Sequence, residues 1–274
     1  MLRKPHVRIS RIHPTTIAAF LSLACTVWAL WLAPVAWNSL PQNILQPSRQ
    51  APDGPEKRQP VITAKPPVVP VGHAGIDCAK IPCMALTFDD GPNPITTPQI
   101  LDILDRQQVH ATFFVVGSRI ADQGPLLRRM YSAGHEIGSH SWSHPDLTTL
   151  SPAQIMRQVN LTQAAIISEG IPAPSLFRPP YGAVNAMVKN SIPMTLAMWN
   201  IDPLDWETKD PAKVRDAILA HARPGAVIDL HDIYPVTVQS LEGTIEALKP
   251  RYQLVTFSEL FNLDSGQRGE YFGR

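Results

Sequence analysis

Short apolar runs alternate with amphipathic stretches between residues 83 and 256 of this 274-residue chain. Each apolar run has the length of a buried strand, and each stretch between runs repeats its apolar positions with the period of a helix that packs by one face. The pattern predicts seven strands, at 83–88, 111–116, 135–139, 175–178, 194–200, 225–230 and 252–256. It also predicts five helices, at 97–107, 119–132, 151–169, 211–222 and 236–248.

Strands that alternate with helices predict a parallel sheet with right-handed crossover connections. Seven such units in about 195 residues indicate an α/β fold, a compact or irregular (β/α) barrel. Two helix starts support this pattern, because Ser151-Pro152 and Asp210-Pro211 each place a capping side chain before a proline at the first helical position. In such a barrel the functional side chains follow the C-terminal ends of the strands.

The N-terminus contains one long uncharged segment, from Thr15 to about Pro41, behind the basic residues of positions 1–14. Its length meets the roughly 20 apolar residues that a membrane-spanning helix needs. The segment 15–40 is therefore predicted to be a transmembrane anchor, with the basic end in the cytoplasm and the rest of the chain outside. The alternative is a signal peptide whose cleavage releases a secreted protein.

Residues 41–76 contain eight prolines among Gln, Ser and Lys. This composition cannot build a core, and proline-rich chain is semi-extended. We expect a disordered linker that holds a catalytic domain, residues 77–274, at a distance from the membrane.

Charge is distributed unevenly between these regions. Of the 24 basic and 23 acidic residues in the chain, 8 basic and 2 acidic residues fall in the first 76 positions, so the remainder has 16 basic and 21 acidic residues. A mildly acidic domain is unsuited to binding polyphosphate, which argues against a nucleic-acid partner. A neutral or sparsely charged substrate fits better.

Two cysteines, Cys78 and Cys83, lie just before the first predicted strand. In an exported domain a disulfide between them is the expected state. A metal-binding role is the alternative, although nothing nearby in the sequence supplies partner ligands.

Asp89 and Asp90 end the first apolar run. Adjacent residues of a strand point to opposite sides, so one carboxylate can bind a metal while the other serves as a base. His140 and His144 have the spacing that places two imidazoles on one side of a helical turn, where they can share an ion. Together these residues predict a His-His-carboxylate metal site. His135 is expected either to pack in the interior or to support one of the metal ligands.

Three other groups of polar residues follow predicted strands. They are Arg178-Pro179-Pro180-Tyr181, the segment 202–206 with Asp205 and Trp206, and His231-Asp232. Taken singly, the first two are ordinary loops or turns, and His231 is either a general acid or a capping residue. Their joint occurrence in this order is far more specific.

The order of these motifs resembles the polysaccharide deacetylases of carbohydrate esterase family 4, over about residues 78–262. Thr87 to Asp90 match TFDD, His140 to His144 match H-S/T-x-x-H, and 178–181 match R-x-P-Y. Residues 202–206 match D-x-x-D-W. The last motif, L-x-H, keeps His231 but has Asp229 where the family prefers leucine, which bears on recognition of the acyl group.

The resemblance implies that Asp90, His140 and His144 hold a divalent metal. Zinc is expected, and the same ligand set would accept cobalt or nickel. It implies that Asp89 is the general base and that Arg178 orients it.

The resemblance also assigns roles around the leaving group. It implies that His231 is the general acid, that Asp205 holds the His231 imidazole, and that the backbone N–H of Tyr181 stabilises the oxyanion. Contacts with the substrate are implied for Tyr181, Trp206 and Leu230, with Trp206 forming a wall of the acetate pocket.

The implied reaction is removal of N-acetyl groups from N-acetylglucosamine units of a cell-wall glycan, most simply peptidoglycan. A chitooligosaccharide deacetylase and an acetylxylan esterase are the enzymatic alternatives. A third hypothesis is a wall-binding module whose metal site no longer supports catalysis. Such a module would be expected to lack Asp89 or His231. Both residues are present.

Overall fold

The computed structural model describes residues 76–264 and 267–274. In this part of the chain the strands are β1 Cys83–Asp89, β2 Thr112–Val115, β3 Glu136–Ser139, β4 Leu176–Phe177, β5 Thr195–Ala197, β6 Ala226–His231, β7 Gln253–Val255 and β8 Glu270–Tyr271. The α-helices are α1 Thr96–Gln107, α2 Gly124–Ser132, α3 Pro152–Ser168, α4 Ala186–Ser191, α5 Pro211–His221, α6 Pro235–Leu248 and α7 Phe257–Phe261.

The strands form one parallel sheet in the order β6-β1-β2-β3-β4-β5. Beyond β5 the chain returns to β6, where Ile201 pairs with Ile228, so the sheet curves into an irregular barrel. Two short strands complete the sheet, since β7 pairs with the first half of β1 and β8 pairs with β5. The predicted parallel α/β barrel is confirmed.

All seven predicted strands are present, with ends that differ from the predictions by up to three residues. The sequence pattern missed β8, α4 and α7, which have two, six and five residues and are too short to show a period. The helix predicted at 119–132 begins only at Gly124, because a 3₁₀ turn at Gly117–Arg119 and a further turn at 120–123 precede it.

The predicted membrane segment 15–40 and linker 41–76 lie outside the described residues, apart from residue 76. Within 76–264 and 267–274, no helix combines the length and the apolar character needed to cross a bilayer.

Two hydrophobic layers share strand β1, whose seven residues are all buried. Leu86 and Phe88 face the core between the sheet and the outer helices. Ala85 belongs to the separate cluster that fills the lower barrel interior. The alternation of a strand then places Thr87 and Asp89 on the interior face, above Ala85. The central strand therefore carries its polar residues into the upper end of the barrel.

The sheet register sets which polar residues meet there. Asp89 pairs with His231 and Thr87 pairs with Asp229 across β1 and β6. At the other end of β1, Cys83 forms the predicted disulfide with Cys78. This bond ties the start of the described domain to its central strand.

Helix α3 begins with a complete capping box. The Ser151 Oγ accepts a hydrogen bond from the Gln154 backbone N–H, and the Gln154 side chain accepts one from the Ser151 backbone N–H. Two N–H groups that an uncapped helix would leave unpaired are thereby satisfied. Helix α3 packs against the loop that carries His144, through Gln158 and the N–H groups of Trp142 and Ser143.

Replacing the cap with Ser151→Ala should lower the free energy of unfolding by about 1 kcal/mol, because the Gln154 N–H loses its acceptor. Urea unfolding followed by circular dichroism measures the change. Ser151→Asp, which keeps an acceptor, should stay close to the unsubstituted protein. Equal losses in both variants would show that the hydroxyl contributes through something other than capping.

Candidate active site

Three candidate metal ligands lie just after the C-terminal ends of β1 and β3. Asp90 Oδ1 is 3.4 Å from His144 Nε2 and 3.7 Å from His140 Nε2. One ligand atom from each of these three residues lies within 4.8 Å of the others. One carboxylate and two imidazoles at this separation form a donor set suited to a divalent metal.

Hydrogen bonding fixes the orientation of His140. Its Nδ1 lies 2.7 Å from the carbonyl oxygen of Arg178, which can only accept, so Nδ1 carries the proton and Nε2 presents its lone pair toward Asp90. Burial lowers the pKa of His140 to about 3, so the ring is neutral near pH 7. Both effects keep His140 in the form that binds a metal.

The two histidines approach each other through a loop rather than through a helix. Ser141 and His144 both have left-handed backbone conformations, with φ of 67° and 58°. The Ser141 Oγ accepts from the His144 N–H at 3.0 Å and closes the turn. The prediction of a helical turn was therefore wrong, although the two rings do meet, with centroids 4.9 Å apart.

A fully buried guanidinium lies beneath this donor set. Arg178 Nη1 lies 2.8 Å from Asp89 Oδ1, 2.7 Å from Asp229 Oδ1 and 2.8 Å from Thr87 Oγ1. Its Nε donates to the Ala197 carbonyl at 2.9 Å. Burial raises the pKa of Asp89, and the charge of Arg178 opposes this rise. Asp89 is thereby held in one orientation by its Oδ1.

Asp229 is the residue that departs from the family motif, and the structure gives it a partner. The residue is 3% exposed, and its carboxyl group faces Arg178. Burial raises the pKa of Asp229 well above its usual value, the neighbouring Asp89 adds to the rise, and Arg178 opposes it. The polar side chain is accommodated by a buried ion-pair network.

His231 is oriented by Asp205. The Asp205 carboxylate lies 2.8 Å from His231 Nδ1 and accepts the His231 backbone N–H at 2.7 Å. Thr237 Oγ1 donates to the same carboxylate at 2.6 Å. Burial alone would lower the pKa of His231, but the hydrogen bond to Asp205 and the charge of Asp229 raise it to about 10. Near pH 7 this imidazole is therefore protonated.

Other predicted residues fall in two groups. Tyr181 and Trp206 are 69% and 51% exposed, and the Tyr181 ring contacts that of His144 at 4.6 Å between centroids. Leu230 is 1% exposed and belongs to the core between the sheet and the helices, on the face opposite Asp229 and His231. The structure thus does not support the expected contact of Leu230 with a substrate.

His135 precedes β3, at the end of the strand away from His140. It is buried, accepts the Ala111 N–H at 3.2 Å and packs edge-on against Phe113. Of the two roles expected for His135, the structure supports packing.

Sequence reasoning assigned no role to two residues that contribute to the site. Thr87 lies two residues before Asp89, and a strand period of two could have placed it on the same face. Arg119 donates from Nη1 to the carbonyl oxygen of Asp90 at 2.9 Å. No local pattern marked Arg119, because it lies in a 3₁₀ turn that the sequence assigned to a helix.

Comparisons with known proteins agree with this geometry. The family model for polysaccharide deacetylases matches residues 77–194. The chain is 44% identical over 178 residues to the peptidoglycan-N-acetylmuramic acid deacetylase PdaC of Bacillus subtilis. The alignment covers 65% of this chain and 38% of PdaC. This chain is also 40% identical over 192 residues to the peptidoglycan-N-acetylglucosamine deacetylase PgdA of Listeria monocytogenes. That alignment covers 70% of this chain and 41% of PgdA. The chain thus spans about two fifths of the length of these curated relatives.

A solved structure covers the domain more fully. The family 4 acetyl xylan esterase of Clostridium thermocellum, in complex with a cobalt ion, is 35% identical to this chain with a TM-score of 0.66. The match covers 70% of this chain and 98% of the esterase. With a matching family model, a nearly complete match to a solved relative and the assembled metal-binding residues, the chain belongs to the polysaccharide deacetylase family.

Proposed function

We propose that this protein is a metal-dependent hydrolase that removes N-acetyl groups from N-acetylglucosamine units of peptidoglycan. The observation that supports it best is the separation of roles beside the Asp90-His140-His144 donor set. Asp89 is held by Arg178, whereas His231 is held by Asp205. A base and an acid that are fixed by different partners suit hydrolysis of an amide.

A divalent metal held by Asp90, His140 and His144, for which we propose zinc, would polarise the acetyl carbonyl and lower the pKa of a water. The donor atoms fit such an ion, because both imidazole Nε2 atoms lie within 3.7 Å of Asp90 Oδ1. The same set accepts cobalt or nickel.

Asp89 is the proposed general base. Its Oδ1 is occupied by Arg178, while Oδ2 lies 3.5 Å from His140 Nε2 and faces the donor set. Oδ2 is therefore the atom that takes the proton of the attacking water. Arg178 acts through Asp89, by holding its carboxylate in the orientation that this transfer needs.

His231 is the proposed general acid. Because Nδ1 is bonded to Asp205, the proton available for transfer is on Nε2. The amine of the sugar is a poor leaving group, so protonation of its nitrogen is needed for the C–N bond to break. The pKa of about 10 means that His231 carries this proton over the neutral range.

Tyr181 and Trp206 complete the proposal. We assign stabilisation of the oxyanion to the backbone N–H of Tyr181. Tyr181 has a left-handed backbone conformation, with φ of 60°. Trp206, half exposed at the opening, would form a wall of the acetate pocket. These two residues come from the loops that follow β4 and β5.

Peptidoglycan is proposed because PdaC and PgdA are both named for it. A membrane anchor at 15–40 and an extended linker at 41–76 would suit a substrate in the surrounding wall, with secretion after signal cleavage as the alternative. Chitooligosaccharides and acetylated xylan are the competing substrates, and the acetyl xylan esterase relative favours testing esters.

Acetate release from peptidoglycan, N-acetylglucosamine oligomers and acetylated xylan by the zinc-loaded protein tests the proposed reaction. Peptidoglycan should be the best substrate, and removal of the metal by a chelator should abolish release until zinc is restored. A preference for acetylated xylan would mean that the enzyme hydrolyses an ester and not the proposed amide. No release from any of them, with metal bound, would favour a wall-binding role.

Asp89→Asn should lower kcat by about 10²- to 10⁴-fold while the zinc content stays unchanged, because the base and the metal ligand are different residues. His140→Ala should lose both activity and zinc. Acetate release and metal content by mass spectrometry measure the two effects, with His221→Ala as an exposed-histidine control. Full activity in Asp89→Asn would refute the assignment of the base.

Asp205→Asn should move the alkaline limb of the kcat/KM profile to lower pH. The limb reports loss of the His231 proton, and Asp205 is the hydrogen-bond partner that raises the pKa of this residue to about 10. The matched control is Asp202→Asn, in the same loop but exposed. A lower rate with an unmoved limb would mean that His231 is not the group that titrates there.

A further inference from the structure

Arg119 places a cation at the edge of the active-site opening that the proposed reaction does not use. The side chain is exposed, and its Nη1 donates to the Asp90 carbonyl oxygen at 2.9 Å. A guanidinium has five N–H groups, so this single bond leaves most of its donors available to a ligand. Arg119 is thus both attached to the metal-binding loop and open to solvent.

The backbone that carries Arg119 is held in place. The Gly117 N–H donates to the Ser141 carbonyl at 3.0 Å, and the Ser118 N–H donates to the Trp142 carbonyl at 2.9 Å. The next residue, Ile120, is 1% exposed and anchors the turn in the core. Because the turn is bonded to the loop between His140 and His144, the backbone of Arg119 has a fixed position relative to the metal-binding residues, and the bond to the Asp90 carbonyl directs the guanidinium toward them.

The charge of Arg119 has no acidic side chain as a partner among the described residues. Four surface arginines of the outer helices do form ion pairs with carboxylates, namely Arg106, Arg128, Arg129 and Arg215, whereas the exposed Arg157 of α3 does not. The charge of Arg119 instead acts on groups at the opening: burial raises the pKa of Tyr234, and Arg119 opposes that rise. An unpaired cation beside a substrate opening is available to an anionic group of the substrate.

The barrel order places an apolar surface on the other side of the opening. In the closed order β6-β1-β2-β3-β4-β5, strands β2 and β5 are three positions apart in either direction. Arg119 follows β2, whereas Leu204 and Trp206 follow β5 and are 42% and 51% exposed. The opening therefore has an apolar side, suited to the face of a sugar ring, and a cationic side.

We infer that this site selects a glycan that carries a carboxylate beside the reacting N-acetyl group, and that Arg119 is the residue that recognises the carboxylate. The inference rests on the proposed deacetylase function and narrows its substrate class to peptidoglycan strands whose lactyl carboxylates are free and not amide-bonded to peptide. A guanidinium binds a carboxylate through paired hydrogen bonds, which gives direction as well as affinity. The carboxylate would lie on the β2 side, and the sugar ring would extend toward Trp206.

The test compares two matched glycans with the full-length, zinc-loaded protein. The first consists of peptide-free strands of alternating N-acetylglucosamine and N-acetylmuramic acid with free lactyl carboxylates. The second is the same material with each carboxylate converted to a methylamide. Acetate release gives kcat/KM on each, and their ratio measures selectivity for the charge independently of how much enzyme is active.

The unsubstituted protein should favour the carboxylate form by about five- to ten-fold, and Arg119→Gln should reduce that ratio to near one. Arg119→Lys should retain part of the ratio, because it keeps the charge without the paired donors. Arg215→Gln, on α5, is the matched control and should leave the ratio unchanged. Rising ionic strength should weaken the preference in the unsubstituted protein but not in Arg119→Gln.

Results that overturn the inference alone can be distinguished from a result that also overturns the proposed function. Equal rates on both glycans, or an unchanged ratio in Arg119→Gln, would refute recognition by Arg119 while leaving the deacetylase in place. No acetate from either glycan would refute the proposed function, and the inference would fall with it.

Discussion

The buried guanidinium of Arg178 joins four strands of the barrel at one point. Arg178 follows β4, and its side chain reaches Asp89 on β1, Asp229 on β6 and the Ala197 carbonyl on β5. It is fully buried and lies 4.1 Å from the ring centroid of Phe114. Removal of one member of such a network leaves uncompensated charge in the interior, which is strongly destabilising. The cation that orients the proposed base therefore also holds the upper barrel together.

Two buried histidines illustrate how partners decide protonation. Burial lowers the pKa of His140 to about 3, where its Nδ1 faces a neutral carbonyl. Burial acts in the same direction on His231, but Asp205 and Asp229 raise that pKa to about 10. One imidazole is thus neutral and suited to a metal, while the other is a cation suited to donate a proton. Two residues of the same type whose surroundings give them very different pKa values are typical of acid–base sites.

Backbone strain is concentrated at the same end of the barrel. Five non-glycine residues with left-handed φ lie in its loops, and these are Asp90, Ser141, His144, Tyr181 and Leu204. Such conformations cost energy and persist where the surroundings hold them. The hydrogen bonds of the Gly117–Arg119 turn to the His140–His144 loop provide part of that support. The loops are therefore held in shape before any ligand binds, which suits a site that must place several groups around one carbonyl.

Seven of the eight strands and five of the seven α-helices in the described part of the chain, with most residues of the candidate site, could be predicted from the sequence, because apolar period and motif spacing are local properties. The anchor at 15–40 stays a prediction from that sequence. Three features became visible only in the folded chain: a left-handed loop joins His140 and His144, Leu230 faces the helices, and Asp229 pairs with Arg178. Arg178 is 89 residues from Asp89 and 51 from Asp229. Contacts at such separations depend on sheet register and barrel closure, which no local pattern encodes.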